Sequence, residues 1–108
     1  MAEKTPIKIV LGESPVVKVI DFLIDNQEFD YSLTDIAKGA EVGWTTLHQF
    51  WPELVRVGIV KKTRKIGRAE LYKLNLDSPL VKKLIEIDFL VSSQLIQKEL
   101  VKQKVVAQ

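Results

Sequence analysis

Apolar residues recur along most of this chain at intervals of three and four, with polar residues between them, and in a few short stretches the interval drops to two. The first long run is Val16, Val19, Ile20, Leu23 and Ile24, one face of a helix whose other face carries Lys18, Asp21 and Asp25. Ser14-Pro15 ahead of it offers a capping hydroxyl and a proline at the first helical position, where the missing amide removes no bond. A second run, Leu33, Ile36 and Ala37, follows Ser32, with Asp35 in the first turn. This is a partial capping box, because the full form has Glu or Gln where Asp35 stands. Lys38-Gly39-Ala40-Glu41 reads as a short end and turn, with Val42 plugging the corner. The pattern predicts a further helix from Gly43 or Trp44, with Leu47, Trp51 and Leu54 on its inward stripe and Gly58 as its stop. Two short helices joined by a tight turn form a helix-turn-helix. The helix from Pro15 braces them, since two short helices alone do not close a core.

Shorter intervals follow. Ile59 to Arg64 reads as a strand, Lys65-Ile66-Gly67-Arg68 as a tight connection in which Gly67 can take a positive φ, and Ala69 to Leu74 as the return strand. The hairpin makes a wing, in which Glu70 pairs with a Lys or Arg across the ladder. Ile7, Ile9 and Leu11 alternate with Lys8 and Val10, a short strand on this reading. After a turn at Asn26-Gln27-Glu28, Phe29 and Tyr31 either add an edge strand to the wing or seal the first helix against the sheet. Ser78-Pro79 repeats the helix-start signal, and Leu80, Leu84, Ile87, Val91 and Leu95 then recur at helical spacing, widened by Ile85, Phe89 and Ile96. A helix from Leu80 to about Leu100 is roughly 30 Å long at 1.5 Å per residue. That is more apolar surface than a small domain needs. Two such helices can pack across a two-fold axis, the alternative being that the stripe covers its own domain. The class is α+β: a winged helix-turn-helix over residues 12–76 and a dimerisation helix over 78–101, with 1–5 and 102–108 loose.

From Ser32 to Leu74 the chain resembles the winged helix-turn-helix transcriptional regulators of archaea and bacteria, the MarR-like and ArsR-like group. The resemblance rests on Leu33-Thr34-Asp35-Ile36-Ala37, on Val42-Gly43-Trp44-Thr45-Thr46-Leu47, and on Glu53 to Lys62 around Gly58. It implies that Thr46 stands early in a recognition helix and that Trp44, Thr45, His48 and Gln49 face DNA. It also implies a dimeric regulator, more often a repressor, on a pseudo-palindromic duplex. Gly43-Trp44 departs from the usual Ser followed by Arg or a small polar residue, and Pro52 is not part of the pattern. Pro52 either bends the helix or starts a separate segment.

Composition narrows the function. One hundred and eight residues suffice for one domain, and the apolar fraction of 46% is that of a folded protein. No apolar run is long enough to span a bilayer, and the opening residues lack a signal peptide's apolar segment, so a cytoplasmic location is expected. There is no cysteine, and a single histidine supplies no metal cluster. With no phosphate-binding loop and no catalytic constellation, an enzyme is not expected and no cofactor is implied.

The net charge of +2 says little, but its distribution says more. Glu13 to Glu41 holds seven acids against Lys18 and Lys38, whereas Lys61 to Lys73 holds six bases against Glu70. A cationic edge of this kind draws in a polyanion and gains from counterion release. Lys65 and Arg68, at the wing tip, are the foremost candidates for phosphate or minor-groove contact. Lys61, Lys62 and Arg64 can extend it, although alternate strand positions face different sides. On the recognition helix Thr45 and Gln49 suit bases, His48 base or phosphate, and Trp44 sugar. The plainer readings are a surface histidine, a tryptophan that caps the helix or anchors a protein partner, and a merely solvated basic run.

Overall fold

The computed structural model describes residues 5–106, with side chains described through residue 100. Its elements run α1 (Pro6–Leu11), α2 (Pro15–Asp25), α3 (Leu33–Ala40), α4 (Trp44–Arg56), β1 (Val60–Ile66), β2 (Ala69–Leu74) and α5 (Pro79–Val106). Three helices, α2 to α4, pack with a two-stranded antiparallel sheet, and α5 runs out from that body. This is the α+β winged helix-turn-helix with a long C-terminal helix that the sequence pattern predicts.

The helix starts follow the local chemistry. The Val17 amide donates to the Ser14 hydroxyl at 3.3 Å, the Asp35 amide to Ser32 at 3.2 Å and the Val81 amide to Ser78 at 3.4 Å, each offsetting one orphan donor. The two helices of the helix-turn-helix end alike. Glu41 takes a left-handed conformation after α3, and the Val42 amide reaches back to the Ala37 carbonyl at 2.9 Å. Gly58 does the same after α4, and the Ile59 amide reaches Leu54 at 3.0 Å. Both are Schellman closures, and only the second uses the glycine that makes such a turn free of Cβ crowding.

Ile7, Val19, Leu23, Ile36, Leu47, Val60, Leu74 and Val81 are the most deeply buried side chains. Burying each large one contributes roughly 1.5–3 kcal/mol over leaving it exposed. Ile7 and Val81 belong to this same cluster, so one core extends beyond residues 12–76 on both sides. Pro52 is exposed and α4 continues through it to Arg56, so it starts no separate segment.

Three expectations change. Ile7 to Leu11 is a helical turn and a half, not a strand: Thr5 and Pro6 start it, and α1 lies against α2 and α5. Only Ile7 of its apolar residues is buried, which is why an alternation over five residues misleads. Asp21, expected to face outward, is buried, 3.6 Å from Lys8 of α1. Burial first, and the nearby Asp21 carboxylate second, raise the carboxyls of Asp25 and of Asp88 on α5. The last helix runs to Val106, past Leu100, and its 28 residues span roughly 42 Å at 1.5 Å per residue. The expected loose ends fall in part on residues 1–4, 107 and 108, outside the described residues.

Tyr31 resolves the open choice at Phe29 to Tyr31 by doing both jobs. Its backbone pairs with Tyr72 through two 2.8 Å bonds, and its ring meets Phe22 edge-on with centroids 5.3 Å apart. Phe29 stays exposed.

Candidate nucleic-acid interface

The inward stripe of α4 is Leu47, Trp51 and Leu54, all buried. Helical periodicity then leaves Trp44, Thr45 and Gln49 exposed, with Thr46 and His48 partly covered. Trp44 and His48, one turn apart, form a unit. Their rings lie against each other with centroids 3.6 Å apart and planes tilted by 32°, and His48 Nδ1 donates to the Trp44 carbonyl at 2.8 Å. Trp44 therefore packs on His48.

The register of the wing decides where its cations point. Val60 stands opposite Leu74, Lys61 opposite Lys73 and Lys62 opposite Tyr72; Arg64 is then opposite Leu71 and Lys65 opposite Glu70. The ladder shifts between Lys62 and Arg64, so Thr63 is an extra residue, a bulge. Since facing residues share a face and alternate ones share a side, Lys62 and Lys65 stand on the side of Glu70, Tyr72 and Leu74. That side looks toward α4, where the Tyr72 ring meets Trp51 with centroids 5.2 Å apart. Lys61 and Arg64 stand on the other side.

Arg64 is held there. Its guanidinium donates to Asp30 at 2.9 and 3.1 Å, and the Thr63 hydroxyl donates to the same carboxylate. The Arg64 hydrogen bond, and then that from Thr63, lower the Asp30 carboxyl to about 2. Lys61 lies 3.9 Å from Asp77. On the near side Lys62 lies 3.5 Å from Glu70, whose carboxyl is lowered first by the Tyr72 hydroxyl and next by Lys62. Arg56 is paired with Glu53 one turn back, which is its structural use. Lys65 and Arg68 make no ion pair among the described residues.

Between α4 and the wing lies a cleft of about 270 Å³, open to solvent. Trp44 and His48 form one wall, Arg68, Ala69, Glu70 and Tyr72 the other, and Ser32, Leu33 and Thr34 at the start of α3 close its end. The outer face of α4 and the wing tip thus open on one side of the molecule. Thr34, an exposed hydroxyl in the first turn of α3, joins them without having been singled out by sequence. Its only signal is a place just after the Ser32 cap, where first helices of helix-turn-helix proteins cross the DNA backbone.

The proposed dimer stripe divides. Leu84 is partly buried against the core, together with Ile85 and below Val81, which the stripe omits. Ile87 and Val91 are half-buried, while Leu80 and Leu95 are exposed, as are Phe89, Leu90, Ile96 and Leu100. Among the described residues no cluster of His, Asp and Glu could hold a metal ion, and no helix is long and apolar enough to cross a membrane.

No protein-family model matches the chain, and no curated protein sequence does. Solved structures do. Sso10a-2, a DNA-binding protein from Sulfolobus solfataricus, superposes with a TM-score of 0.52 at 16% identity, over 82% of this chain and 92% of that one. MepR, a transcription regulator of the Staphylococcus aureus multidrug efflux pump MepA, gives 0.59 at 21% identity over 79% of this chain. This chain covers only 60% of MepR. A mutant MepR of the same likeness is bound to an oligodeoxyribonucleotide. The transcriptional regulator PA3341 gives 0.60 at 17% identity over 92% of this chain and 78% of that one. At these identities the likeness establishes a shared winged-helix fold.

Proposed function

We propose that the chain binds double-stranded DNA sequence-specifically and regulates transcription as a homodimer paired through α5, most simply as a repressor that occupies its site. The observation that carries this reading is the cleft in which Trp44 and His48 of α4 face Arg68 of the wing. A helix with its outer face free and a cationic hairpin opening on the same side are what a duplex needs for simultaneous groove and backbone contact. Thr45, Thr46, His48 and Gln49 supply base contacts, and Lys65 and Arg68 the phosphates. No catalysis or cofactor forms part of this reading.

The dimer rests on the outer half of α5, where Phe89, Ile96 and Leu100 are exposed beyond the reach of their own core. A second copy would cover them and place two recognition helices on a pseudo-palindromic site. Selection of duplexes from a random pool at fixed salt tests the whole reading. An enriched inverted repeat is expected; retained duplexes without any enriched sequence would remove the specific regulator.

The competing function is a binder with little sequence preference; the chain covers nearly all of Sso10a-2, a DNA-binding protein. Equal affinity for selected and scrambled duplexes at one salt concentration would establish it.

A further inference from the structure

We infer that His48 selects an amino base, adenine or cytosine, through a lone pair on Nε2 that the fold holds ready in the major groove. The inference rests on the DNA-binding reading above and adds to it a chemical rule for one base of each half-site.

A carbonyl oxygen can only accept a hydrogen bond. The 2.8 Å contact from His48 Nδ1 to the Trp44 carbonyl therefore puts the proton on Nδ1. In the neutral ring that leaves Nε2, across the ring from the bonded nitrogen, as an acceptor and nothing else. Nε2 has no hydrogen-bond partner among the described residues, whereas Nδ1 is occupied.

The ring is also held still. The indole of Trp44 covers one of its faces at 3.6 Å between centroids, and a half-turn about χ2, which puts Cδ2 where Nδ1 stands, would break the hydrogen bond. A histidine whose Nδ1 is free can take either tautomer, so its Nε2 presents either a donor or an acceptor and tolerates either kind of base. One locked by its neighbour cannot.

The place is suitable too. His48 lies in the second turn of α4, partly covered, and lines the open cleft beside Arg68. The early turns of a recognition helix are those that meet base edges. In the major groove the only hydrogen-bond donors are the N6 amine of adenine and the N4 amine of cytosine. Guanine and thymine present O6, N7 and O4, which a lone pair meets with repulsion. The discrimination is thus amino against keto at one position. As a single hydrogen bond it amounts to about a three- to tenfold preference.

The test is selection from a random duplex pool at fixed salt and pH, with the wild-type chain and with His48→Ala. The expected result is one column per half-site enriched in adenine or cytosine, flat in His48→Ala while the other columns persist. Guanine or thymine in the column that His48→Ala flattens would overturn the inference, and so would a motif that His48→Ala leaves unchanged. If His48→Ala does not fold, wild-type protein is titrated with the selected duplex and with one carrying purine, which lacks the 6-amine, in place of adenine. For a cytosine column the replacement is the analogue lacking the 4-amine. A loss of about three- to tenfold is expected, and no loss overturns the inference. A wild-type chain that retains no duplex removes the DNA reading itself, a different outcome from a selected motif that is indifferent to His48.

Discussion

On the side of the wing that looks toward α4, Lys62 and Lys65 stand over Glu70 and Tyr72; on the far side Lys61 and Arg64 stand beside Lys73 and Leu71. Within one hairpin the near side holds two cations and the far side three. On the far side Asp30, from the loop after α2, binds Arg64 and Thr63 and thereby ties that loop to the sheet. The near side has only Glu70 to oppose its cations, and it leads to a tip where Lys65 and Arg68 are unpaired among the described residues. A count of lysines and arginines would favour the far side. What separates them is whether a carboxylate from elsewhere in the fold has already taken the cation.

The strongest way to break this contrast is to remove the free cations. Lys65→Ala with Arg68→Ala should weaken duplex binding by about tenfold or more at low salt. It should also reduce the slope of log affinity against log salt by about 2, near 0.9 for each lost phosphate contact. Lys61→Ala with Arg64→Ala, removing as much charge from the far side, should leave that slope nearly unchanged in the same titration. Equal losses from both pairs would erase the distinction.

The next prediction concerns the far side's own work. Because Asp30 is held at about 2, below its ordinary 3.8, the folded chain takes up that proton less readily than the unfolded chain does. The stability it contributes is whole above about pH 4 and is lost as the pH falls toward 2. Asp30→Asn should therefore lower the melting temperature near neutral pH and flatten its decline over that acid range, as read from thermal melts at a series of pH values. A decline as steep as in the wild type would show that the pair does not couple to folding.

The smallest effect is expected from Glu70→Gln. Lys62 would lose its near-side partner, and duplex affinity should rise by a few fold at low salt, with the salt slope growing by up to about 1. An unchanged slope would mean that Lys62 does not reach the backbone.

These sides were only half legible in the sequence. The helix starts were plain, because Ser14-Pro15, Ser32 and Ser78-Pro79 act through bonds to residues three positions away. The inward stripe of α4 was equally plain, since Leu47, Trp51 and Leu54 repeat the helical period. The division of the wing was not. It depends on the bulge at Thr63, which the run Lys-Lys-Thr-Arg-Lys does not announce, and on Asp30, more than thirty residues away. The tethering of His48 to Trp44 was hidden for another reason: aromatic rings four residues apart on a helix can stack or splay, and only the rotamers decide. Along α5 the inward face is Val81, Leu84 and Ile85, rotated from the stripe through Leu80, because the contact with α1 sets the angle and the alternation at Ile7 to Leu11 reads as a strand.

One absent atom constrains how this sequence can drift. A β-carbon at Gly39 would overlap the Phe22 ring, which is itself lodged edge-on against Tyr31. Positions 22 and 39 are therefore expected to change together among descendants of this chain. An alanine at the second would call for a smaller side chain at the first, and a lineage keeping both the bulk and the methyl would have to splay α2 from α3 and re-aim everything that α3 carries.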